Sequence, residues 1–324
     1  MEILKGKIPQ SIYERLEIAK IDTLDYFFFK SDQEICSATH ISVTDLESLK
    51  TIVAEIILGD GFKTAAELQK DEKYWSVLHT GCSIIDKTVN GFPTKGITEV
   101  FGESGVGKTQ LALQLALQVQ QLEDCGGLDG DALYICTEDT FPSKRLQQLI
   151  DVRPKLTRNN QLINQSDNIF IEHIQDIDEL NRCINLKLPV LLSTKKIKLI
   201  IIDSIAAVFR YDNQTSDYIS RSEDLTAIAE SFNNLSLQYH IVILCINQVT
   251  ADPEYGTVPC LGQAWSNLVR KRIKLERSGT TIRMDNQDLP KRRLVVQFAP
   301  DTARNQCEFV VTQAGIVGLD VSAG

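Results

Sequence analysis

Gly102-Glu103-Ser104-Gly105-Val106-Gly107-Lys108-Thr109 lies between an apolar run, Ile97-Thr98-Glu99-Val100-Phe101, and a stretch of strong helix formers, Leu111-Ala112-Leu113-Gln114-Leu115-Ala116-Leu117. Strand, glycine loop, Lys-Thr and helix, in that order, make a P-loop, or Walker A element. Glycines let the backbone curl so that successive N–H groups face one point. The helix that follows brings the positive end of its dipole to the same place. Lys108 is placed to reach the β- and γ-phosphates of a nucleotide, and the Thr109 hydroxyl to ligate Mg²⁺. The expected phosphate cradle is Gly102 through Thr109, with Gln110 directly behind it.

Three further positions fit this chemistry. Asp203 ends the apolar run Leu199-Ile200-Ile201-Ile202, as a Walker B carboxylate does. A carboxylate at the carboxyl end of a buried strand beside a P-loop holds Mg²⁺, usually through water. Glu138 follows the apolar strand Ala132–Cys136, where a carboxylate suits a general base for an attacking water. The adjacent Asp139 competes for that role. Gln248 closes the run ending Ile246-Asn247-Gln248, where an amide can contact a γ-phosphate and report its loss to the loop beyond.

The rest of the pattern says how these positions are brought together. Apolar segments at 132–136, 168–174, 198–204 and 240–248 alternate with helical stretches near 142–151, 177–186 and 221–238. That alternation predicts an α/β core with a mostly parallel sheet covered on both faces. The segments 267–277, 292–300 and 307–319 alternate in a half-exposed manner and are expected as antiparallel additions at one sheet edge. Gly91-Phe92-Pro93 reads as a turn. Arg270, Lys271, Arg272, Lys274 and Arg277 form the densest basic cluster, expected on a solvated edge strand where charge deters aggregation.

Residues 1–58 read as a small helical domain. One helix opens at Pro9-Gln10-Ser11, and another starts near Ser42 or Thr44, with Leu46, Leu49, Val53, Ile56 and Ile57 at helical spacing. Residues 1–70 carry eight basic and twelve acidic side chains, a net charge of −4 that suits a protein-binding module better than a DNA clamp. Gly59-Asp60-Gly61 breaks the helix, and 59–73 reads as a linker holding Phe62-Lys63-Thr64-Ala65. Taken alone, Phe62 could simply pack against its own domain. The core then spans 74–324.

Composition narrows the function. Over 324 residues the net charge is −9, so contact with nucleic acid has to rest on local patches. The loop Thr250–Ala264 contains Asp252 and Glu254 and no Lys or Arg. The eight cysteines form no Cys-x-x-Cys pair, and several sit in apolar runs, which reads as reduced thiols of an intracellular protein. The four histidines share no metal-ligand spacing. No signal peptide and no run approaching the ~20 apolar residues of a membrane helix is visible, so no membrane contact is expected.

Together these residues resemble the RecA-type recombinase family, in its eukaryotic strand-exchange branch. Phe101-Gly102-Glu103, Thr137-Glu138, Ile202-Asp203-Ser204 and Ile246-Asn247-Gln248 fall in that family's order, as does Gly61-Phe62-Lys63-Thr64-Ala65. The details are similar to the XRCC-type paralogues: Tyr134-Ile135-Cys136-Thr137-Glu138-Asp139, Phe141-Pro142, Lys144-Arg145-Leu146-Gln147-Gln148-Leu149, Pro189-Val190-Leu191-Leu192-Ser193 and Leu244-Cys245-Ile246-Asn247-Gln248-Val249-Thr250. Strand-exchange recombinases carry an Asp and a Gly in the places of Cys136 and Asp139, which points to an accessory paralogue and away from a filament former.

The resemblance implies a RecA-like ATPase core with ATP and Mg²⁺ as cofactors. Glu138, Lys108 and Gln248 would be the catalytic groups, Thr109 and Asp203 the metal ligands, and Arg145 would stack on adenine. Phe62 and Ala65 would insert into a neighbouring subunit. It also implies a heterodimer with the C-type paralogue and support of recombinase filaments. Single-stranded or branched DNA would be met through the complex, in homologous recombination and crosslink repair. The location would be nuclear, with some protein in the cytoplasm. An autonomous strand-exchange enzyme and a non-hydrolysing assembly scaffold are the alternatives.

Overall fold

The computed structural model describes residues 4–21, 23, 27, 30–58, 64–67, 75–158, 161–210, 218–252 and 256–320. The chain divides into two compact units, Met1–Tyr74 and Trp75–Gly324.

In the first unit, helices Gln10–Ile18, Asp32–Thr39 and Val43–Leu58 enclose a small core of Leu16, Phe27, Ile35, Leu46, Leu49 and Val53. Ser31 caps the second helix in a capping box with Glu34. Ser42 opens the third, its Oγ accepting from the Asp45 N–H at 3.1 Å. Phe62 lies outside the described residues. Ala65 is described and exposed, in a turn of helix opened by Thr64, whose Oγ1 accepts from the Glu67 N–H at 3.2 Å.

In the second unit the strands are β1 (Val77–Leu78), β2 (Phe92–Pro93), β3 (Ile97–Phe101), β4 (Asp131–Cys136), β5 (Thr157–Arg158), β6 (Gln161–Leu162), β7 (Ile169–His173), β8 (Ile197–Asp203), β9 (Val242–Asn247), β10 (Val249–Asp252), β11 (Gly256–Pro259), β12 (Lys271–Met284), β13 (Gln287–Phe298), β14 (Gln306–Thr312) and β15 (Gly315–Leu319). Nine of them form one sheet, in the order β15-β14-β13-β12-β3-β9-β8-β4-β7. From β12 to β7 every pairing is parallel, and from β12 to β15 every pairing is antiparallel.

The central strands are buried on both faces, so alternate residues feed two cores. Leu199 and Ile201 of β8 join Val242 and Leu244 of β9 under the helix Lys108–Gln118. Ile200, Ile202 and Ile243 face Leu225, Ile228 and Phe232 of the helix Tyr218–Tyr239.

Several sequence expectations need correcting. The basic cluster does not lie on an edge: β12 is paired on both sides, with β3 and β13. Lys271 is fully buried, its ammonium donating to the Val89 and Gly91 carbonyls at 2.8 and 3.0 Å. The Arg272 guanidinium pairs with the buried carboxylate of Glu99, which also accepts from Trp265 Nε1 at 3.0 Å and Asn247 Nδ2 at 2.7 Å. Charge patterning misled because Lys271 and Arg272 meet acceptors supplied from distant parts of the chain.

Other boundaries shift. Residues 262–266 are helical, so the strand expected from 267 begins at Lys271. The helix expected to end near 186 runs on through a π-turn and Pro189 to Thr194, because proline is tolerated in a helix's first turn. Phe92 and Pro93 are strand, pairing with β1. The segment 307–319 is a hairpin of two strands. All eight cysteines are free, four of them buried.

Replacing Arg272 by Met strands the buried Glu99 charge. Chemical denaturation should show a loss of about 3–5 kcal/mol, largely recovered in the Glu99→Gln/Arg272→Met double variant. Equal losses in both would mean that the pair contributes only packing.

Candidate nucleotide site

The carboxyl ends of β3, β9, β8 and β4 come together on one side of the sheet, where ligands gather in open parallel sheets. The P-loop follows β3, Gln248 follows β9, Asp203 ends β8, and Glu138 lies two residues beyond β4. They line a cavity of about 940 Å³ with Lys108, Thr109, Gln110, Tyr134, Arg145 and Gln313.

Glycine is needed at 102. Its φ is +155°, and a Cβ there would sit 2.1 Å from the Leu275 carbonyl oxygen of β12. Lys108 folds across its own loop and donates to the Gly102 and Glu103 carbonyls at 2.6 and 2.7 Å. Burial lowers its pKa, opposed by the charges of Asp203, Glu138 and Glu103.

One oxygen of Asp203 takes two hydroxyl donors, Thr109 Oγ1 at 3.0 Å and Tyr134 Oη at 2.6 Å. Burial raises the Asp203 pKa, against those two bonds and Lys108. Burial and the Asp203 charge push the Cys136 thiol up to about 12, so Cys136 stays neutral beside the site and offers no thiolate.

Thr137 stitches β4 to β8. Its hydroxyl donates to the Ser204 carbonyl at 2.8 Å and accepts from the Ser204 N–H at 2.7 Å. That bond sets Glu138 close to Asp203. Glu138 Oε1 takes Arg210 at 2.6 Å, while Oε2 takes Gln248 Nε2 at 2.5 Å and Ser204 Oγ at 3.4 Å. Arg210 also donates to Gln248 Oε1, closing a three-residue ring. At the far end of the cavity Arg145 is tethered, with Nε on Gln110 Oε1 at 2.7 Å and a terminal nitrogen on the Thr312 carbonyl at 2.6 Å.

The donor set fits a nucleotide with Mg²⁺. A hydroxyl and a carboxylate are hard oxygen ligands. Among the described residues no group of three or more His, Cys, Asp or Glu side chains could hold an ion. Magnesium, which demands six oxygens, would therefore take the remainder from phosphate and water.

Of the expected positions, Gly102, Ser104, Gly105, Gly107, Lys108, Thr109, Asp203, Glu138 and Gln248 line this cavity, whereas Val106 is buried in the core and Glu103 is not part of the lining. Two side chains at the site were not singled out. Tyr134 sits in a buried apolar strand, where its hydroxyl must find a partner; that requirement was the available signal. Arg210 precedes a stretch of mixed charge that holds Asp212, Asp217 and Arg221, and nothing local marks its reach to Glu138.

The Rad51 family model matches residues 73–319. DNA repair protein XRCC3 of Bos taurus is 35% identical over 343 aligned positions, covering 100% of this chain and 99% of that protein. DNA repair protein XRCC3 of Mus musculus is 38% identical over 262 positions, 75% of each chain. DNA repair protein RAD57 of Saccharomyces cerevisiae is 40% identical over 168 positions, 50% of this chain and 36% of that protein.

Two outcomes follow from the geometry. The raised Asp203 pKa means that the native state holds this proton more tightly than the unfolded chain does. Stability from this group is full below the ordinary aspartate value of about 3.9 and is lost as pH rises through the higher native value. Asp203→Asn should therefore raise the melting temperature at pH 7 by a few degrees in the absence of nucleotide, flatten that acid dependence, and abolish the Mg²⁺ dependence of nucleotide binding. A lower melting temperature would contradict it. Separately, Gly102→Ala should cost roughly 1–3 kcal/mol by overpacking, read by urea unfolding, and weaken nucleotide binding by calorimetry.

Proposed function

The chain belongs to the Rad51 family, and on that premise we propose that it is a recombinase paralogue of homologous-recombination DNA repair that binds ATP and supports recombinase filaments within a paralogue complex. The observation that carries this reading is the convergence of the P-loop, Asp203, Glu138 and Gln248 at the carboxyl ends of four adjacent parallel strands.

In this reading Lys108 and the amides of the loop hold the phosphates, and Thr109 and Asp203 order Mg²⁺. The metal supplies charge neutralisation at the phosphates. Gln110 supports Arg145, whose guanidinium plane faces adenine. Glu138 orients or deprotonates the attacking water, and Gln248 carries the state of the γ-phosphate into the β10–β11 hairpin. Phe62 and Ala65 supply contact with a neighbouring subunit. The partner is the C-type paralogue in a heterodimer, and single-stranded or branched DNA is met through the complex, in the nucleus and in part in the cytoplasm.

Glu138 has both oxygens engaged, by Arg210 on one side and by Gln248 and Ser204 on the other. That arrangement favours slow turnover by the isolated chain, with nucleotide held more than hydrolysed. It also gives the second reading, an assembly subunit that holds ATP without hydrolysing it, a specific physical basis.

The test compares steady-state ATPase of the chain alone and with its paralogue, with and without single-stranded DNA. The expected result is slow turnover alone, stimulated by the partner. Glu138→Gln should lower the stimulated rate by about 10²-fold or more with ATP affinity kept, and Arg210→Ala should raise turnover of the isolated chain severalfold. Fast DNA-stimulated turnover by the isolated wild type would sink the accessory reading. A stimulated rate that Glu138→Gln leaves unchanged would remove Glu138 from its role.

A further inference from the structure

Arg277 of β12 and Arg292 of β13 are Cα partners in an antiparallel ladder, so their side chains leave the sheet on the same face. Like charges directly opposite one another destabilise a sheet. Both guanidinium groups nonetheless reach backbone carbonyls of the P-loop. Arg277 donates to the Ser104 carbonyl at 2.9 Å, and Arg292 to the Gly105 carbonyl at 3.4 Å and the Pro290 carbonyl at 3.1 Å.

Their surroundings supply a carboxylate to only one of the two charges. Arg277 has the Glu103 carboxylate 3.7 Å away, with both side chains more than half exposed. Among the described residues no carboxylate pairs with Arg292, and carbonyls are neutral acceptors. Burial, with Arg277 as a second cause, lowers the Arg292 pKa. A half-buried cation facing another cation is an unfavourable arrangement unless an anion arrives.

The position says which anion. Arg292 lines the same cavity as Lys108, Thr109 and Arg145. Its stem lies beside Gly107: a Cβ on that glycine would come within 3.9 Å of Arg292 Cδ. We propose that Arg292, anchored on the Gly105 and Pro290 carbonyls, is a further phosphate contact for a nucleoside di- or triphosphate bound at this chain's own P-loop. The proposal rests on the nucleotide-binding reading above. It assigns a second cation from a strand separated from Lys108 by most of the sheet's sequence.

The same chemistry could serve a nucleic-acid backbone, so the experiment separates the two. Calorimetry with ATP and ADP on the full-length chain compares wild type, Arg292→Gln and Arg292→Lys, each also tested for retention of single-stranded oligonucleotide. Arg292→Gln should lose about ten- to a hundredfold in affinity for both nucleotides, as for a charge-assisted hydrogen bond, and Arg292→Lys less. The nucleotide-free melting temperature of Arg292→Gln should be unchanged or higher, because one of two opposed charges is gone; a residue that only props up the loop would lower it. In wild type, ATP and ADP, but not adenosine, should protect Arg292 from phenylglyoxal modification read by mass spectrometry. This measurement decides the question even if the variants fold poorly.

Unchanged nucleotide affinity in Arg292→Gln, or no protection, overturns the proposal while leaving the P-loop reading intact. Loss of oligonucleotide retention with nucleotide affinity kept assigns the arginines to nucleic acid and also overturns it. Wild type that binds neither nucleotide defeats both readings at once.

Discussion

One carboxylate organises the site. Asp203 is partly exposed as a residue yet sits at the end of a strand whose Leu199, Ile200, Ile201 and Ile202 are fully buried. The fold holds it there with two hydroxyl donors, one from the P-loop helix and one from β4. Those bonds lower its pKa while burial raises it further, so the balance leaves an anion short of solvation. Two hydroxyls and the nearby Lys108 charge do not offset that burial, and a divalent cation is the partner that fits. The apolar run that positions it is therefore also what makes it receptive.

A second buried carboxylate does the opposite work. Glu99 lies in β3 and is fully enclosed, with Arg272, Trp265 and Asn247 as its partners. Asn247 in turn donates to the Cys260 carbonyl at 2.8 Å and accepts the Gln248 N–H at 2.8 Å. A chain of polar contacts thus runs from the strand that launches the P-loop to the residue at the base of the β10–β11 hairpin. Because a broken member would leave a charge or amide unsatisfied in a low-dielectric interior, the chain behaves as one unit. The orientation of Gln248 is fixed by the core from beneath and by Glu138 and Arg210 from above.

What could be read in the sequence follows from the range of each interaction. The P-loop, the apolar strands and the Walker B aspartate are written in contiguous residues, so spacing and periodicity reach them directly. Glu138 and Gln248 were legible because the carboxyl end of a parallel strand is a positional rule rather than a contact. The basic run 270–277 was misplaced because Lys271 and Arg272 donate to Val89, Gly91 and Glu99, all more than 170 residues earlier, and Lys271 has its carboxylate, Asp301, 3.5 Å away on another part of the chain. Tyr134 and Arg210 were missed for the same reason: each acts through a partner that only the sheet order brings near. Local pattern thus locates the candidate nucleotide site, while the identity of each side chain's partner is set by topology.

The polar groups of this site already have internal substitutes for a ligand. Lys108 rests on two carbonyls of its own loop, Arg145 on Gln110 and on the carbonyls of Thr312 and Gln313, and Glu138 on Arg210 and Gln248. A nucleotide that enters must exchange bonds rather than simply add them, and an exchanged hydrogen bond nets only about 0.5–1.5 kcal/mol. Affinity then becomes a small difference between large terms. In such a site a modest contribution from outside, a metal or a neighbouring subunit, is enough to shift the population from self-satisfied to loaded. On the proposed reading, an accessory subunit that responds to its company is well served by a pocket whose resting contacts already engage Lys108, Arg145 and Glu138.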